Sequence, residues 1–188
     1  MSDIADFWRW FEAHATRLRE EPDGDIVCDA ITEALGKVHE GLVGEIGRAP
    51  SLDEATLVIS ANGNQELFPI VEDLFAERPS VPLWEIIAFR PPANPNDPGV
   101  IEMDGLELSI AAMRFVHSLE DGMLELDVFV PGYVEDDETI GSMCFIALDH
   151  TVGEYRMETR IGGIALYPIE DAPPSARPLV ELLALMPN

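Results

Sequence analysis

Thr56-Leu-Val-Ile-Ser-Ala61 is a continuous apolar run, followed by the turn Asn62-Gly63-Asn64 and later by a second run, Leu83-Trp-Glu-Ile-Ile-Ala-Phe89. Such runs are typical of strands that are buried on both faces of a sheet. The segment between them predicts a helix with these apolar residues inward: Leu67, Ile70, Val71, Leu74 and Phe75. Strand, helix and strand in this order predict a right-handed parallel crossover.

The first 41 residues predict a helical hairpin. One apolar face is formed by Ile4, Phe7, Trp8, Phe11, Ala15 and Leu18, and a second by Val27, Ala30, Ile31, Ala34, Leu35 and Val38. The break lies at residues 20–24, after which Asp25 is predicted to cap the second helix and Gly41 to end it. Residues 42–90 then predict strand, strand, helix and strand, beginning with a short strand at 42–47.

The second half begins with a Pro-rich loop at residues 91–99, the only linker-like stretch. Asp104-Gly105 predicts one hairpin, and a turn over 119–122 predicts another, with Arg114 opposite Asp127 as an ion pair. A helix over 140–151 follows.

Alternating residues then predict a long strand through Tyr155–Ile161, bent or bulged at Gly162-Gly163, and a closing helix over 178–186. Over residues 1–188 we expect a single α+β domain. Its mixed sheet of about six strands would be packed by the N-terminal hairpin and two further helices.

Charge limits the partners that this chain can have. Thirty-six acidic residues against eleven basic ones give a formal net charge of −25 over 188 residues, several times the magnitude of about 2–8 that solubility requires. Residues 97–154 hold fourteen acids and one base, Arg114. Nucleic acid binding is disfavoured, because phosphate contacts need a basic patch. A basic protein is the partner that such a surface favours.

Two features are candidates for contact with that partner. The run Glu135-Asp136-Asp137-Glu138 precedes a predicted helix, where it also complements the helix dipole. Trp10 lies off the apolar stripe of the first helix, so it either packs on another element or is exposed as an interface anchor.

Four segments resemble a family of small bacterial proteins of unknown function. They are Phe7-Trp8-Arg9-Trp10-Phe11, Ile59–Gly63, Trp84–Pro91 and Leu148–Glu154. Its most specific pieces here are Phe-Trp-x-Trp-Phe and Ala-Phe-Arg-Pro. The resemblance implies a stand-alone cytoplasmic bacterial domain and implies no activity.

A small-ligand site is the alternative that the parallel crossover suggests. Ligands of α/β sheets bind past the carboxyl ends of strands, where this sequence has Asn62, Asn64 and Arg90. The Asn-Gly turn is equally explained as turn chemistry. Arg90 could clamp a substrate carboxylate or pair with one of the chain's many acids.

We predict no cofactor and no metal site. The nearest approach to a metal site is His150 and Glu154, four residues apart at the end of a predicted helix, and zinc needs a third protein ligand. Cys28 and Cys144 fall in separate apolar helical patterns and are expected to be free structural thiols. Acids at the N-terminus and the lack of a long apolar run predict a soluble, cytoplasmic protein.

The sequence favours a non-enzymatic binding or regulatory protein that meets a basic protein, as an immunity protein or inhibitor would. Two alternatives stay open at this point. One is an enzyme or ligand-binding domain with a pocket near Asn62 and Arg90, and the other is a scaffold domain that self-associates into homo-oligomers.

Overall fold

A computed structural model describes residues 3–48 and 54–186. Contacts between residues divide the chain into two compact units, 1–90 and 91–188. The division falls at the start of the Pro-rich loop. Both units combine helices and strands, so the predicted α+β class is confirmed.

Unit 1 contains the predicted helical hairpin and the predicted parallel crossover. Its elements are α1 (Asp3–Glu20), α2 (Gly24–Leu35), β1 (Val43–Arg48), β2 (Ala55–Ser60), a 3-10 helix (Gln65–Leu67), α3 (Phe68–Ala76) and β3 (Trp84–Ala88). β2 pairs with β1 antiparallel and with β3 in parallel. The cap of α2 is Asp23, whose side chain accepts from the backbone N–H of Asp25 at 3.1 Å. The prediction that Asp25 is the cap was therefore wrong, because the helix begins at Gly24, two residues earlier than a cap at Asp25 implies. It ends at Leu35 with Gly36 as its C-cap, and not at Gly41 as predicted.

The core of unit 1 joins all three helices to β2. Its largest fully buried side chains include Phe11, Ile31, Leu35, Leu57, Ile59 and Leu74. The two core tryptophans satisfy their indole N–H groups with backbone carbonyls. Trp8 donates to Leu74 at 3.0 Å and Trp84 donates to Ala15 at 3.1 Å, so neither leaves an unpaired donor in an apolar setting.

Unit 2 holds the remaining elements. They are β4 (Val100–Met103), β5 (Leu106–Ser109), a 3-10 helix (Ile110–Ala112), β6 (Arg114–Glu120), β7 (Met123–Val130), α4 (Glu138–Val152), α5 (Glu154–Arg160), β8 (Ile161–Pro168), a 3-10 helix (Ile169–Asp171), β9 (Arg177–Pro178) and a 3-10 helix (Leu179–Leu185). β4 pairs with β5, and the larger sheet has the order β8-β7-β6-β9. Within the described residues, the strands thus form sheets of three, two and four strands, and one sheet of about six strands is not confirmed.

Two local predictions in unit 2 were wrong. Tyr155–Arg160 lies in helix α5, not in a strand, since the segment is rich in good helix formers that outweigh its alternation. Arg114 lies opposite Phe129 and not Asp127. A two-residue turn, with Asp121 at φ 49° and Gly122 at φ 84°, shifts the register. The closing helix is of the 3-10 type. The bulge at Gly162 is confirmed, because the β7–β8 register shifts there.

Each unit has one free cysteine. Cys28 in α2 is half-buried and Cys144 in α4 is fully buried, as expected of structural thiols. Burial raises the pKa of Cys144 to about 12, so this thiol is not activated as a nucleophile. Among the described residues, no helix combines the length and the apolar character that crossing a membrane requires.

Candidate functional site

The sheet of unit 1 brings together two of the predicted ligand-binding residues. The carboxyl ends of the parallel strands β2 and β3 lie at the edge where the antiparallel β1 begins. There the guanidinium of Arg90 donates from Nε to Glu45 Oε1 at 2.5 Å and from Nη2 to Asn62 Oδ1 at 3.3 Å. Sequence reasoning missed Glu45. Its place at this edge follows only from the antiparallel pairing of β1 with β2, which the sequence does not reveal.

Two residues beside this cluster have left-handed backbone conformations. Asn62 has φ 53° and Phe89 has φ 64°. Asparagine tolerates this region, whereas for phenylalanine it costs roughly 1–3 kcal/mol. Phe89 is held by its ring against Phe68, with centroids 4.6 Å apart, and by its N–H, which donates to Ile59 O at 2.9 Å. Packing and pairing thus fix the backbone immediately before Arg90.

The third candidate of this group, Asn64, has a structural role. Its side chain accepts from the backbone N–H of Glu66 at 3.0 Å and caps the 3-10 helix Gln65–Leu67. Arg90 is already neutralised by Glu45, whose side chain is 37% exposed. An anionic ligand would have to displace that carboxylate from the guanidinium. The geometry therefore matches the alternative in which Arg90 pairs with an acid.

The acidic run leads into helix α4 of unit 2. Asp137 caps the helix, since its Oδ1 accepts from the N–H of Ile140 at 3.0 Å. Glu135, Asp136 and Glu138 are exposed. Across the parts of the chain that the structure describes, no arginine or lysine forms an ion pair with these three. One acid of the run serves the helix and the other three face solvent.

Helix α4 has apolar residues on two opposite sides. One side is buried in the core of unit 2 and contains Met143, Cys144, Ala147, Leu148 and Val152. The other side faces solvent and carries Phe145, 50% exposed, and Ile146, 44% exposed. Sequence reasoning missed these two residues. The signal was present, because placing them at about 100° per residue sets them opposite the apolar residues Met143, Cys144 and Ala147.

His150 and Glu154 do not share a helix face. Gly153, with φ 83° and ψ 149°, ends α4 and separates it from α5. His150 is exposed beside the Pro-rich loop, and its carbonyl accepts from the N–H of Ala93 at 2.8 Å. Glu154 is fully buried. In the described ranges 3–48 and 54–186, no three His, Cys, Asp or Glu side chains are grouped so that they could hold a metal ion.

Three carboxyl side chains interact where α4 meets α5. Burial raises the pKa of Glu158 above its ordinary value, and the charges of Asp149 and Glu154 raise it further. All three acids lie in unit 2, on the helix pair that follows the acidic run. The folded chain therefore favours the protonated form of Glu158 more than the unfolded chain does.

Trp10 is half-buried in unit 1. Its ring packs against the core and stacks on His14, with centroids 5.0 Å apart, and its carbonyl accepts from His14 Nδ1 at 2.7 Å. Its ring contacts lie on its own helix and its side chain packs against the core, so Trp10 is neither fully exposed nor fully buried. Its role as an interface anchor stays a prediction.

No protein-family model, curated protein or solved structure matches this chain. The resemblance to a bacterial family of unknown function accordingly stays a prediction.

Proposed function

We propose that this chain is a non-enzymatic binding or regulatory protein that engages a basic protein partner, in the manner of an immunity protein or inhibitor. The observation that carries the proposal is the acidity of residues 97–154, with fourteen acids and one base. Glu135, Asp136 and Glu138 in this stretch are exposed and have no basic partner among the described residues. Charge of one sign attracts an oppositely charged protein and speeds its association.

Arg90 and Cys144, the two side chains most suited to a catalytic role, have structural roles in this chain. Arg90 is held by Glu45 and Asn62, and burial holds the Cys144 thiol protonated by raising its pKa to about 12. These contacts support a binding role over a ligand pocket at Asn62 and Arg90. The net charge of −25 supports a basic partner over a second copy, because two such copies repel each other.

The test uses cytochrome c as a small basic probe protein and measures its association rate with this chain. We expect the rate to fall by about tenfold or more between low salt and about 300 mM salt, because salt screens the attraction. A rate that does not change with salt would contradict the proposal.

A pair of charge variants locates the attraction. Glu135→Gln/Asp136→Asn/Glu138→Gln removes three exposed acids of the run. Glu12→Gln/Asp29→Asn/Glu33→Gln removes three exposed helical acids of unit 1. The first variant should slow association more than the second. Equal slowing would mean that negative charge is distributed evenly over the surface and would overturn the proposal of a specific acidic surface.

A further inference from the structure

Helix α4 presents a solvent-facing side with a defined residue pattern. In a helix, residues three and four apart are neighbours on one face. Ser142 and Ile146 are four apart, as are Phe145 and Asp149, and Glu138 lies seven residues before Phe145. These five residues form what we call the outer stripe of α4. It lies opposite the buried side that contains Met143, Cys144 and Ala147.

The centre of the outer stripe is apolar and exposed. Half of the surface of Phe145 and 44% of that of Ile146 are accessible. Single exposed apolar residues are common on proteins. Here two large ones are adjacent on one helix, and exposed Val134 precedes the same helix. Desolvation of an aromatic side chain at the centre of a patch is the usual source of binding energy in an interface.

Both ends of the outer stripe are acidic. Glu138 lies at the N-terminal end, where Glu135 and Asp136 add two exposed carboxylates, and Asp149 lies toward the C-terminal end. Glu138 and Asp149 are eleven residues apart, a rise of about 16 Å at about 1.5 Å per residue. An apolar centre between acidic ends is complementary to a helix with apolar residues on one face and basic residues flanking them.

We propose that the outer stripe of α4 is the docking surface for a basic amphipathic helix of the partner protein. This inference rests on the proposed function and names the place where the partner binds. Phe145 and Ile146 contact the apolar face of the partner helix, and the exposed acids Glu135, Asp136 and Glu138 pair with its lysines and arginines. A second copy of this chain is a poor occupant, because its own stripe would bring the same acids against these.

The experiment uses two labelled synthetic peptides of about 18 residues, or five helical turns. One has leucine and lysine at helical spacing, and the other has the same composition in scrambled order. Fluorescence anisotropy at about 150 mM salt measures the affinity of the full chain for each. We expect the amphipathic peptide to bind at least about tenfold more tightly than the scrambled one.

Two double variants locate the binding site. Phe145→Ala/Ile146→Ala should weaken binding of the amphipathic peptide by about tenfold or more and remove the preference over the scrambled peptide. Ile26→Ala/Leu119→Ala changes two other exposed apolar residues, 54% and 70% accessible, and should leave the affinity within about twofold. All four side chains are exposed, so both variants are expected to fold, and circular dichroism checks this.

The outcomes separate the docking surface from the function on which it rests. If both peptides bind equally in a salt-dependent way, and Phe145→Ala/Ile146→Ala has no effect, the acidic binding function stands and the docking surface is wrong. If neither peptide binds at about 1 mM in low salt, the function itself is wrong. If light scattering finds a dimer that Phe145→Ala/Ile146→Ala abolishes, the stripe is occupied by a second copy and the proposal is overturned.

Discussion

Glu158 shows how neighbouring charges act on a single residue in this protein. The carboxyl is half-buried on α5, and its ordinary pKa of 4.5 is raised by burial first and then by Asp149 and Glu154. The ionised form is disfavoured in the folded state, where water is partly removed and two like charges are near. Glu158 therefore binds its proton more tightly in the folded chain than in the unfolded chain.

Replacing this carboxyl should change how stability depends on pH. As pH rises above 4.5, Glu158 ionises first in the unfolded state, so its contribution to the free energy of unfolding falls until the raised pKa is passed. Glu158→Gln removes this loss. We expect the urea midpoint of Glu158→Gln to exceed that of the unmodified chain at about pH 8 and to approach it at about pH 5.

Glu170→Gln is the matched control, because it removes an exposed acid of the same unit. Like Glu158→Gln, this variant removes one negative charge and so reduces the overall repulsion between charges. If the urea midpoints of both variants rise equally at every pH, the increase comes from net charge and not from the surroundings of Glu158.

Single residues also show the limits of prediction. Asn62 and Arg90 could be assigned to one edge of the sheet because parallel strands end together. Glu45 could not, because the pairing of β1 with β2 had to be known first. Arg114 was assigned the wrong neighbour because the two turn residues are Asp121 and Gly122, one position later than a turn over 119–122 implies. A shift of one position in the turn moves the residue opposite Arg114 by two.

At the scale of elements, the junction of α4 and α5 depends on one backbone conformation. Gly153 is buried and has φ 83° with ψ 149°, a region that is nearly exclusive to glycine. It lets the chain end one helix and begin another without an intervening loop. Gly141 lies inside α4, and a Cβ added there would meet no atom within 4 Å.

The two glycines should respond oppositely to the same substitution. Gly153→Ala should lower the stability of the chain by about 1–3 kcal/mol, because alanine is strained in this conformation. Gly141→Ala should raise it by up to about 1 kcal/mol, since alanine favours a helix interior over glycine. Urea denaturation followed by circular dichroism measures both changes. A stable Gly153→Ala variant would show that the junction does not need this conformation.

The same junction explains why part of the fold could not be predicted. Tyr155, Met157, Thr159 and Ile161 alternate as a strand would, whereas Glu154 and Met157 also share a helix face. The choice follows helix propensity, since glutamate, arginine and methionine in this segment are good helix formers. Long elements with a clear period, such as α1 and the β2–α3–β3 crossover, were predictable because their apolar residues alone determine the buried side.

On the scale of the whole molecule, the charge of −25 acts against the folded state. Like charges are closer together in a compact chain than in an unfolded one, so they reduce stability. The net charge could be read from composition. Helical spacing alone sets Phe145 and Ile146 opposite the apolar stripe of α4. That nothing covers this side could be learned only from the structure, where both side chains are exposed.

Salt should therefore stabilise this protein. Raising salt from about 10 mM to about 150 mM shortens the Debye length from about 30 Å to about 8 Å, so we expect a higher thermal midpoint. A variant that combines the two triple substitutions described above has a charge of −19 instead of −25. Its thermal midpoint should rise less with salt than that of the unmodified chain. An equal gain in both proteins would attribute the effect to something other than charge repulsion.

The placement of one free thiol in each compact unit makes the chain its own reporter of local opening. A disulfide reagent reacts with Cys144 only when the core around α4 opens, because the closed state shields that sulfur and keeps it protonated. Cys28 is half-buried on α2, so the reagent reaches it without such opening and its labelling rate serves as an internal reference. The ratio of the two labelling rates in one sample thus reports how often the core around α4 opens, without any engineered probe.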